Sequence, residues 1–154
     1  NGGIVVDGES GCLVKFAKCC NPLPGDSVIG FITKGFGISI HKVDCPNVVN
    51  AMKNPENVTR FAEAHWEKPS HDRQEVYEAL IQIYAYGSLT ILADITMALA
   101  DMKVVLLQVN TRKKGDDRMI INLKISCKNA EHYRSIVARL KSLRDVIDVG
   151  RGYS

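Results

Sequence analysis

The sequence Met119-Ile-Ile-Asn-Leu-Lys-Ile-Ser-Cys127 decides the fold of the second half of this chain. Every second residue from Met119 to Cys127 is apolar, and the residues between them are polar apart from Ile120. Successive side chains of a strand point to opposite faces of a sheet. The alternation therefore predicts a strand with one buried face and one face towards solvent.

Strand and helix patterns lie on both sides of this stretch. Residues 75–86, 104–111 and 146–149 are typical of strands. Apolar residues spaced three and four apart predict two helices, one after an N-cap at Ser88 and one after an N-cap at Asn129. The first helix has a predicted apolar face of Leu89, Leu92, Ile95, Leu99 and Met102. The order βαββαβ predicts a ferredoxin-like α+β fold, with two helices on one face of an antiparallel sheet.

The first half of the chain shows short strands and tight turns. Its candidate elements are two strands, a short helix and a weaker third strand, at residues 28–33, 37–41, 47–53 and 59–67. The turn Lys34-Gly-Phe-Gly37 joins the first two strands as a hairpin. Pro46 suits the first position of the helix, and Asn54-Pro55 ends it. We expect a small, strand-rich unit.

Charge and proline usage divide the chain. Residues 1–68 carry seven basic and seven acidic side chains, whereas residues 69–154 carry 13 basic and 10 acidic ones and account for the whole net charge of +3. A polar stretch with a proline, Lys68-Pro-Ser-His-Asp-Arg73, lies between them. We predict a Cys/His domain at residues 1–68, a linker at 69–73 and the βαββαβ domain at 74–154.

Composition excludes several classes of protein. With 45% hydrophobic and 24% charged residues the chain is globular, not disordered. An apolar run of about 18 residues would be needed to span a membrane, and we expect neither such a span nor a signal peptide. The small net charge requires no strong polyanion partner. We therefore expect a cytoplasmic protein with reduced cysteines.

Four of the five cysteines lie in the first 45 residues, and three of them form a pattern with a histidine. Cys19 and Cys20 precede the first strand of the hairpin, His41 ends its second strand, and Cys45 follows after three residues. Antiparallel pairing brings those two strand ends together. Three thiolates and one imidazole complete the tetrahedral shell of a structural Zn²⁺. The pattern predicts a zinc site, which would also staple a domain of only ~65 residues.

Two other interpretations of these cysteines stay open. Free cysteines are often buried as small apolar residues. A cysteine beside a histidine could instead be a nucleophile or a redox group. Cys12 could replace one ligand, although six residues separate it from Cys19. Cys127 lies on the apolar side of its strand, so we predict a structural role for it.

Three runs in the first half resemble a known family. They are Lys18-Cys-Cys-Asn-Pro-Leu-Pro-Gly-Asp26, Gly30-Phe-Ile-Thr-Lys-Gly-Phe-Gly-Ile-Ser-Ile-His41 and Asp44-Cys-Pro46. They resemble the zinc-finger-like, conserved-cysteine domain of long RelA/SpoT homologues, the (p)ppGpp synthetases and hydrolases of the bacterial stringent response. In that family the adjacent cysteines, the histidine and the later cysteine form the metal site, which the resemblance carries to Cys19, Cys20, His41 and Cys45. The second half resembles the ACT domain, also called RRM-like, that ends those proteins.

This resemblance implies a regulatory role without catalysis. The family's catalytic domains lie upstream of the matching region, and none of their motifs is in this chain. The parent would be a GTP pyrophosphokinase that transfers pyrophosphate from ATP to GDP or GTP. This region would relay starvation signals to the catalytic half through contact with the ribosome and uncharged tRNA. Paired ACT domains would make a homodimer a further partner. Whether the parent synthesises or hydrolyses (p)ppGpp, or does both, stays open.

The loop Tyr86, Gly87, Ser88, Leu89 and Thr90 is a candidate site for a small ligand. Amino-acid-binding ACT domains carry Asp-Arg-x-Gly here, and a branched-chain amino acid is the candidate ligand. Thr90 stands where those domains have the glycine that admits a ligand close to the backbone. The alternative function for this region is an amino-acid sensor or a dimerisation module.

A basic cluster surrounds the hairpin turn predicted at residues 113–117. Its members are Arg112, Lys113, Lys114 and Arg118. Such cations bind RNA phosphates, and we predict an RNA contact there. An ordinary solvated turn is the competing interpretation.

Overall fold

The structure is a computed structural model. It describes residues 3–8, 13–35, 37–67 and 76–152. The chain divides into two compact units, and the second begins at Val76. Cys12 and the predicted linker at residues 69–73 lie outside the described residues. Within the described part of the chain, no helix is long and apolar enough to cross a bilayer.

The first unit contains, in its described residues, five strands and two short helices. They are, in chain order, β1 (Ile4–Val6), β2 (Leu13–Phe16), β3 (Val28–Ile32), β4 (Gly37–Lys42), α1 (Pro46–Met52), α2 (Pro55–Val58) and β5 (Phe61–Trp66). The strands form one sheet in the order β1-β5-β3-β4-β2. Neighbours are antiparallel except β2 and β4, which are parallel. The predicted hairpin is confirmed as β3 and β4, with Ile29 opposite His41.

The sheet of the first unit is strongly curled. The rings of Phe16 on β2 and Trp66 on β5 stack with centroids 5.6 Å apart, although β3 and β4 lie between those strands. A flat sheet would separate the two backbones by ~14 Å, at ~4.8 Å for each strand spacing. The curl encloses a core of Ile4, Val6, Val28, Ile38 and Ile40. The first unit therefore buries a core inside one sheet.

The helical segment of the first unit differs from the prediction at Pro55. Asn54-Pro55 was expected only to end the first helix, but α2 begins at Pro55. The side chain of Asn54 caps it, because its Oδ1 accepts a hydrogen bond from the Glu56 backbone N–H at 3.1 Å. Proline is favoured at the first position of a helix, so Pro55 both ends α1 and starts α2.

The second unit has the predicted βαββαβ order and confirms the α+β expectation. Its elements are β6 (Tyr77–Tyr86), α3 (Ile91–Asp101), β7 (Leu106–Lys113), β8 (Arg118–Cys127), α4 (Ala130–Lys141) and β9 (Val146–Arg151). The sheet order is β7-β8-β6-β9, antiparallel throughout. Cys127 is fully buried, as its place in the alternation predicted. One face of this sheet, formed by alternate buried residues of β6 and β8, is the core.

The two helices of the second unit differ in how well they were predicted. Asn129 caps α4 as expected, since its Oδ1 accepts the His132 backbone N–H at 2.7 Å. The N-cap predicted at Ser88 is wrong, because α3 begins at Ile91 and Thr90 occupies the N-cap position. The predicted apolar face is also wrong, at Leu89 and Leu92. The buried residues of α3 are Ile91, Ile95, Ala98 and Leu99. Leu89 is fully exposed, and Leu92 keeps 39% exposure.

Candidate metal centre

Three segments of the first unit bring the predicted metal ligands together. Cys19 and Cys20 follow β2, His41 lies on β4, and Cys45 immediately precedes α1. The chain leaving β2 stays beside β4, because the Ala17 N–H donates to the Ile40 carbonyl at 2.9 Å. The parallel pairing of β2 and β4, which the sequence did not reveal, therefore carries the two adjacent cysteines to His41.

A turn just after the two cysteines holds them in place. The Asn21 N–H donates to the Ala17 carbonyl at 2.9 Å, and Asn21 has a φ of 44°. Asparagine tolerates this left-handed region better than most residues. Asn21 is also buried, with 7% exposure. The turn therefore directs both thiols of Cys19 and Cys20 towards the same place.

The four ligand atoms have the spacing of a metal site. The Cys19 Sγ lies 3.4 Å from the His41 Nδ1, 3.7 Å from the Cys45 Sγ and 4.0 Å from the Cys20 Sγ. The Cys20 Sγ lies 3.8 Å from the same Nδ1, and all four atoms are within 4.8 Å of one another. Tetrahedral zinc, with Zn–S of ~2.3 Å and Zn–N of ~2.0 Å, needs S···S edges of about 3.8 Å and S···N edges of about 3.5 Å. The donor set can hold a metal of that size.

Burial shapes the protonation of this cluster. Cys20 and Cys45 have no solvent exposure. Burial raises the pKa of the Cys20 thiol, and the neighbouring charges of Cys19 and Cys45 raise it further. The Lys42 backbone N–H opposes this rise by donating to the Cys20 Sγ at 3.4 Å. A divalent cation would supply the charge that stabilises buried thiolates.

The histidine of the cluster is suited to metal binding. Burial lowers the pKa of His41, which favours the neutral imidazole. Neutral imidazole is the form that ligates metals. The Nδ1 atom of His41 faces the thiols of Cys19 and Cys20. This nitrogen is the one that would bind the metal.

Contacts away from the four ligands fix the segments that carry them. The Trp66 Nε1–H donates to the Asp26 carbonyl at 3.0 Å, and the Asp26 Oδ2 accepts the Leu23 N–H at 2.8 Å. Leu23 is fully buried. On the other side, Val48 of α1 packs in one cluster with the buried cysteines. Packing and hydrogen bonds thus position the ligands, so the cluster does not depend on a metal alone for its shape.

The predicted ligand loop of the second unit is held against the β7–β8 turn. The Tyr86 N–H donates to the Asp145 carbonyl at 2.8 Å, and the Gly87 N–H donates to the Asp117 carbonyl at 3.0 Å. Thr90 donates its hydroxyl to the Asp94 carboxylate at 3.2 Å. The hydroxyl oxygen of Ser88 is buried without a hydrogen-bond partner in the described structure. Leu89 points into solvent beside these groups.

The predicted basic cluster is divided between the two faces of its sheet. Arg112 pairs across from Ile120, and Arg118 pairs across from Tyr86, which places both arginines on the solvent-facing side. Lys113 pairs across from Met119 and lies on the opposite side. Lys114 lies in the turn. The structure therefore brings three of the four cations near one surface.

Sequence reasoning assigned Tyr86 only to the candidate ligand loop and missed Tyr84, although both belong to that surface. Tyr84 and Tyr86 lie on the solvent-facing side of β6, at the positions that alternate with buried Ile83 and Ala85. The Arg118 guanidinium carbon lies 4.2 Å from the Tyr86 ring centroid, and the Lys114 Nζ lies 5.7 Å from that of Tyr84. The signal was present in the sequence, as two tyrosines at polar positions of an alternating strand.

Comparison with known proteins relates each unit to a known domain family. Residues 4–67 match the family model of the RelA/SpoT RIS domain, and residues 73–151 match that of the ACT domain. The bifunctional (p)ppGpp synthase/hydrolase RelA of Mycobacterium tuberculosis is 35% identical over 97% of this chain and 19% of its own length. The GTP pyrophosphokinase of Escherichia coli K12 is 33% identical over 98% of this chain and 20% of its own length.

Solved structures include a similar domain. The ACT domain from the GTP pyrophosphokinase of Chlorobium tepidum is 21% identical, with a TM-score of 0.45, over 50% of this chain and 99% of that domain. Against the two full-length enzymes, by contrast, the match is partial. The chain spans about a fifth of the length of those relatives, 19% and 20%.

Proposed function

Since this chain belongs to the RelA/SpoT family, with a RIS domain followed by an ACT domain, we propose that it relays starvation signals to the catalytic half of a GTP pyrophosphokinase in the bacterial cytoplasm. The relay acts through contact with the ribosome and uncharged tRNA. Both matched domains are regulatory, and the catalytic domains of such enzymes lie outside the stretch that is matched. The observation that carries the proposal is this pair of adjacent regulatory domains.

Zinc is the metal that we propose for the cluster of Cys19, Cys20, His41 and Cys45. Three sulfur donors and one imidazole are a donor set that zinc favours, and four protein ligands leave no open position for catalysis. The ion would therefore be structural. It would join the segment after β2, the end of β4 and the start of α1, and so would hold these three segments in one arrangement.

Ribosome binding by the purified chain tests the relay. We expect the chain to pellet with ribosomes that carry deacylated tRNA, and to dissociate steeply as salt rises, because cations that contact phosphates release counterions. The double variant Arg112→Ala/Arg118→Ala should bind more weakly. Arg134→Ala/Lys141→Ala is the matched control, since it removes two exposed cations from α4 instead. Absence of pelleting at low salt would contradict the relay.

Self-association is a second candidate function, favoured by the edge of the second sheet. β7 is an edge strand. Val105, just before this strand, is 57% exposed, and Leu107 and Val109 within it are 48% and 47% exposed. An exposed apolar edge invites pairing with another strand. Sedimentation of the chain should then show a dimer that Val109→Lys dissociates. A monomer at high concentration would reject this candidate.

A further inference from the structure

The sheet of the second unit has an open face, defined as the side of β6, β7, β8 and β9 opposite the buried core side. We propose that this open face binds unpaired RNA, with bases stacked on Tyr84 and Tyr86. The inference rests on the proposed contact with the ribosome or tRNA, and it deepens that proposal by naming the surface and the class of RNA. The RNA that fits is a single-stranded segment with free bases.

The two tyrosines form an aromatic platform. They are two residues apart on β6, so their side chains stand on the same side of the sheet. Tyr86 is 46% exposed, and Tyr84 is partly exposed. Every base has a flat π-face, and stacking on exposed aromatic side chains is how proteins bind single strands without strong sequence preference. A hydrophobic core function does not explain two tyrosines on a solvent-facing side.

Cations accompany both rings. Arg118 is the cross-strand partner of Tyr86, with its guanidinium carbon 4.2 Å from the ring centroid. A guanidinium plane stacks on bases as an aromatic ring does, so Arg118 extends the platform. Lys114 lies 5.7 Å from the Tyr84 centroid. These cations are placed to meet the phosphates of a strand whose bases lie on the rings.

Amide side chains continue the face beyond the rings. Gln82 lies two residues before Tyr84 on β6, and its Nε2 donates to the Oδ1 of its cross-strand partner Asn122 at 3.2 Å. Such amides present donors and acceptors to base edges. The edges and faces of bases are free in unpaired RNA and are hidden in a duplex. This combination of rings and amides favours a single strand over a helix.

The net positive charge on the open face is moderate, so attraction to phosphates alone does not account for binding there. The Asp117 carboxylate pairs with the Arg118 guanidinium at 2.6 Å, and Asp148 lies across from Tyr84. These acids offset part of the positive charge near the platform. Binding should still weaken as salt rises, because Arg118 and Lys114 meet phosphates, but the share that the rings contribute should be lost on their removal at any one salt concentration.

Fluorescence anisotropy of the whole chain with a labelled, unstructured RNA of ten nucleotides tests the inference. Tyr84→Leu/Tyr86→Leu should weaken binding about 10-fold or more, and Tyr84→Phe/Tyr86→Phe should keep most of it, because phenylalanine retains the ring. The same RNA annealed to its complement should bind about 10-fold more weakly. Circular dichroism melting confirms that both double variants are folded.

A second pair of variants guards against misfolding of the tyrosine variants. A Cβ added at Gly150 would meet no atom within 4 Å, and this residue lies across from Gln82 on the open face. Gly150→Glu should weaken RNA binding, because it adds a negative charge to the face. Gly150→Gln is the matched control of nearly equal size, and it should bind as the natural chain does.

Several results would overturn the inference. The first three are no binding of the single strand, equal binding of the duplex, and unchanged binding by Tyr84→Leu/Tyr86→Leu, the leucine variant. The fourth is a dimer of the natural chain that the leucine variant dissociates, because a second copy of the chain would then cover the face. Ribosome pelleting that survives in the leucine variant, while its binding to the single strand is lost, would mean that the open face is not the surface of the ribosome contact, which would overturn the inference and leave the proposed function intact. Ribosome pelleting without any binding of the single strand would overturn the inference and leave the proposed function intact.

Discussion

Replacing Gly30 by alanine tests the curled core of the first unit. Gly30 lies on β3, and an added Cβ would lie 2.9 Å from the Ile38 Cγ2, 3.5 Å from the Ala62 carbonyl oxygen and 3.6 Å from the Val6 Cγ1. Ile38 is 2% exposed, so its methyl group has little room to withdraw. Overpacking of this kind costs about 1–3 kcal/mol. Alanine is favoured over glycine within a strand by about 0.5–1 kcal/mol, which leaves a net destabilisation of about 1 kcal/mol at the middle of the two ranges.

Urea denaturation followed by Trp66 fluorescence measures this loss, because Trp66 is the single tryptophan of the chain and lies in the first unit. The melting temperature of that unit should fall by about 4–8 °C for each kcal/mol. Gly35→Ala is the control, since a Cβ there meets no atom within 4 Å. It should change the free energy of unfolding by less than about 0.5 kcal/mol. Equal or greater stability of Gly30→Ala would refute the close approach of β1 and β4 over β3.

Two further predictions concern single hydrogen bonds. Trp66→Phe keeps the stack on Phe16 but removes the hydrogen bond to the Asp26 carbonyl. Circular dichroism melting should show that the free energy of unfolding of the first unit falls by about 1 kcal/mol. An unchanged melting temperature would contradict this. Asn129→Ala removes the side chain that caps α4 by accepting a hydrogen bond from the His132 N–H at 2.7 Å. It should lower the free energy of unfolding of the second unit by about 1 kcal/mol. Asn129→Ser should keep most of that stability in the same assay.

The strongly periodic parts of the chain were predictable from the sequence. The alternation over residues 119–127 identified β8, and the order of elements identified the fold of the second unit. The start of α3 was not predictable in the same way, because Leu89 and Ile91 both fit the spacing of an apolar helix face. Only packing decides that Ile91 is buried and Leu89 is exposed. Helix boundaries are set by such tertiary contacts as well as by caps.

Short elements of the first unit escaped prediction for a different reason. β1 has three residues and β2 has four, which is too short for a periodic pattern. β1 is held by pairing with β5, about 60 residues later in the chain, as in the pair Ile4 and Trp66. Distant pairing of this kind leaves no local signal in the sequence.

The meeting of the cysteine pair with His41 was predictable from one hairpin. Antiparallel pairing of β3 and β4 places the residues before one strand near the end of the other, so Cys20 and His41 were expected to meet. Their surroundings were not predictable. The contact from Trp66 to Asp26 joins residues 40 positions apart, and the parallel pairing of β2 with β4 has no signature in the spacing of the cysteines.

Metal content per chain tests the central claim, that Cys19, Cys20, His41 and Cys45 hold one structural zinc ion. The chain is purified under reducing conditions, because oxidation of thiolates removes ligands. Elemental analysis should find one zinc ion per natural chain and little in Cys45→Ala, whereas Cys127→Ala should keep the full amount because that thiol lies in the core of the other unit. No zinc in the natural chain, or full zinc in Cys45→Ala, would contradict the claim.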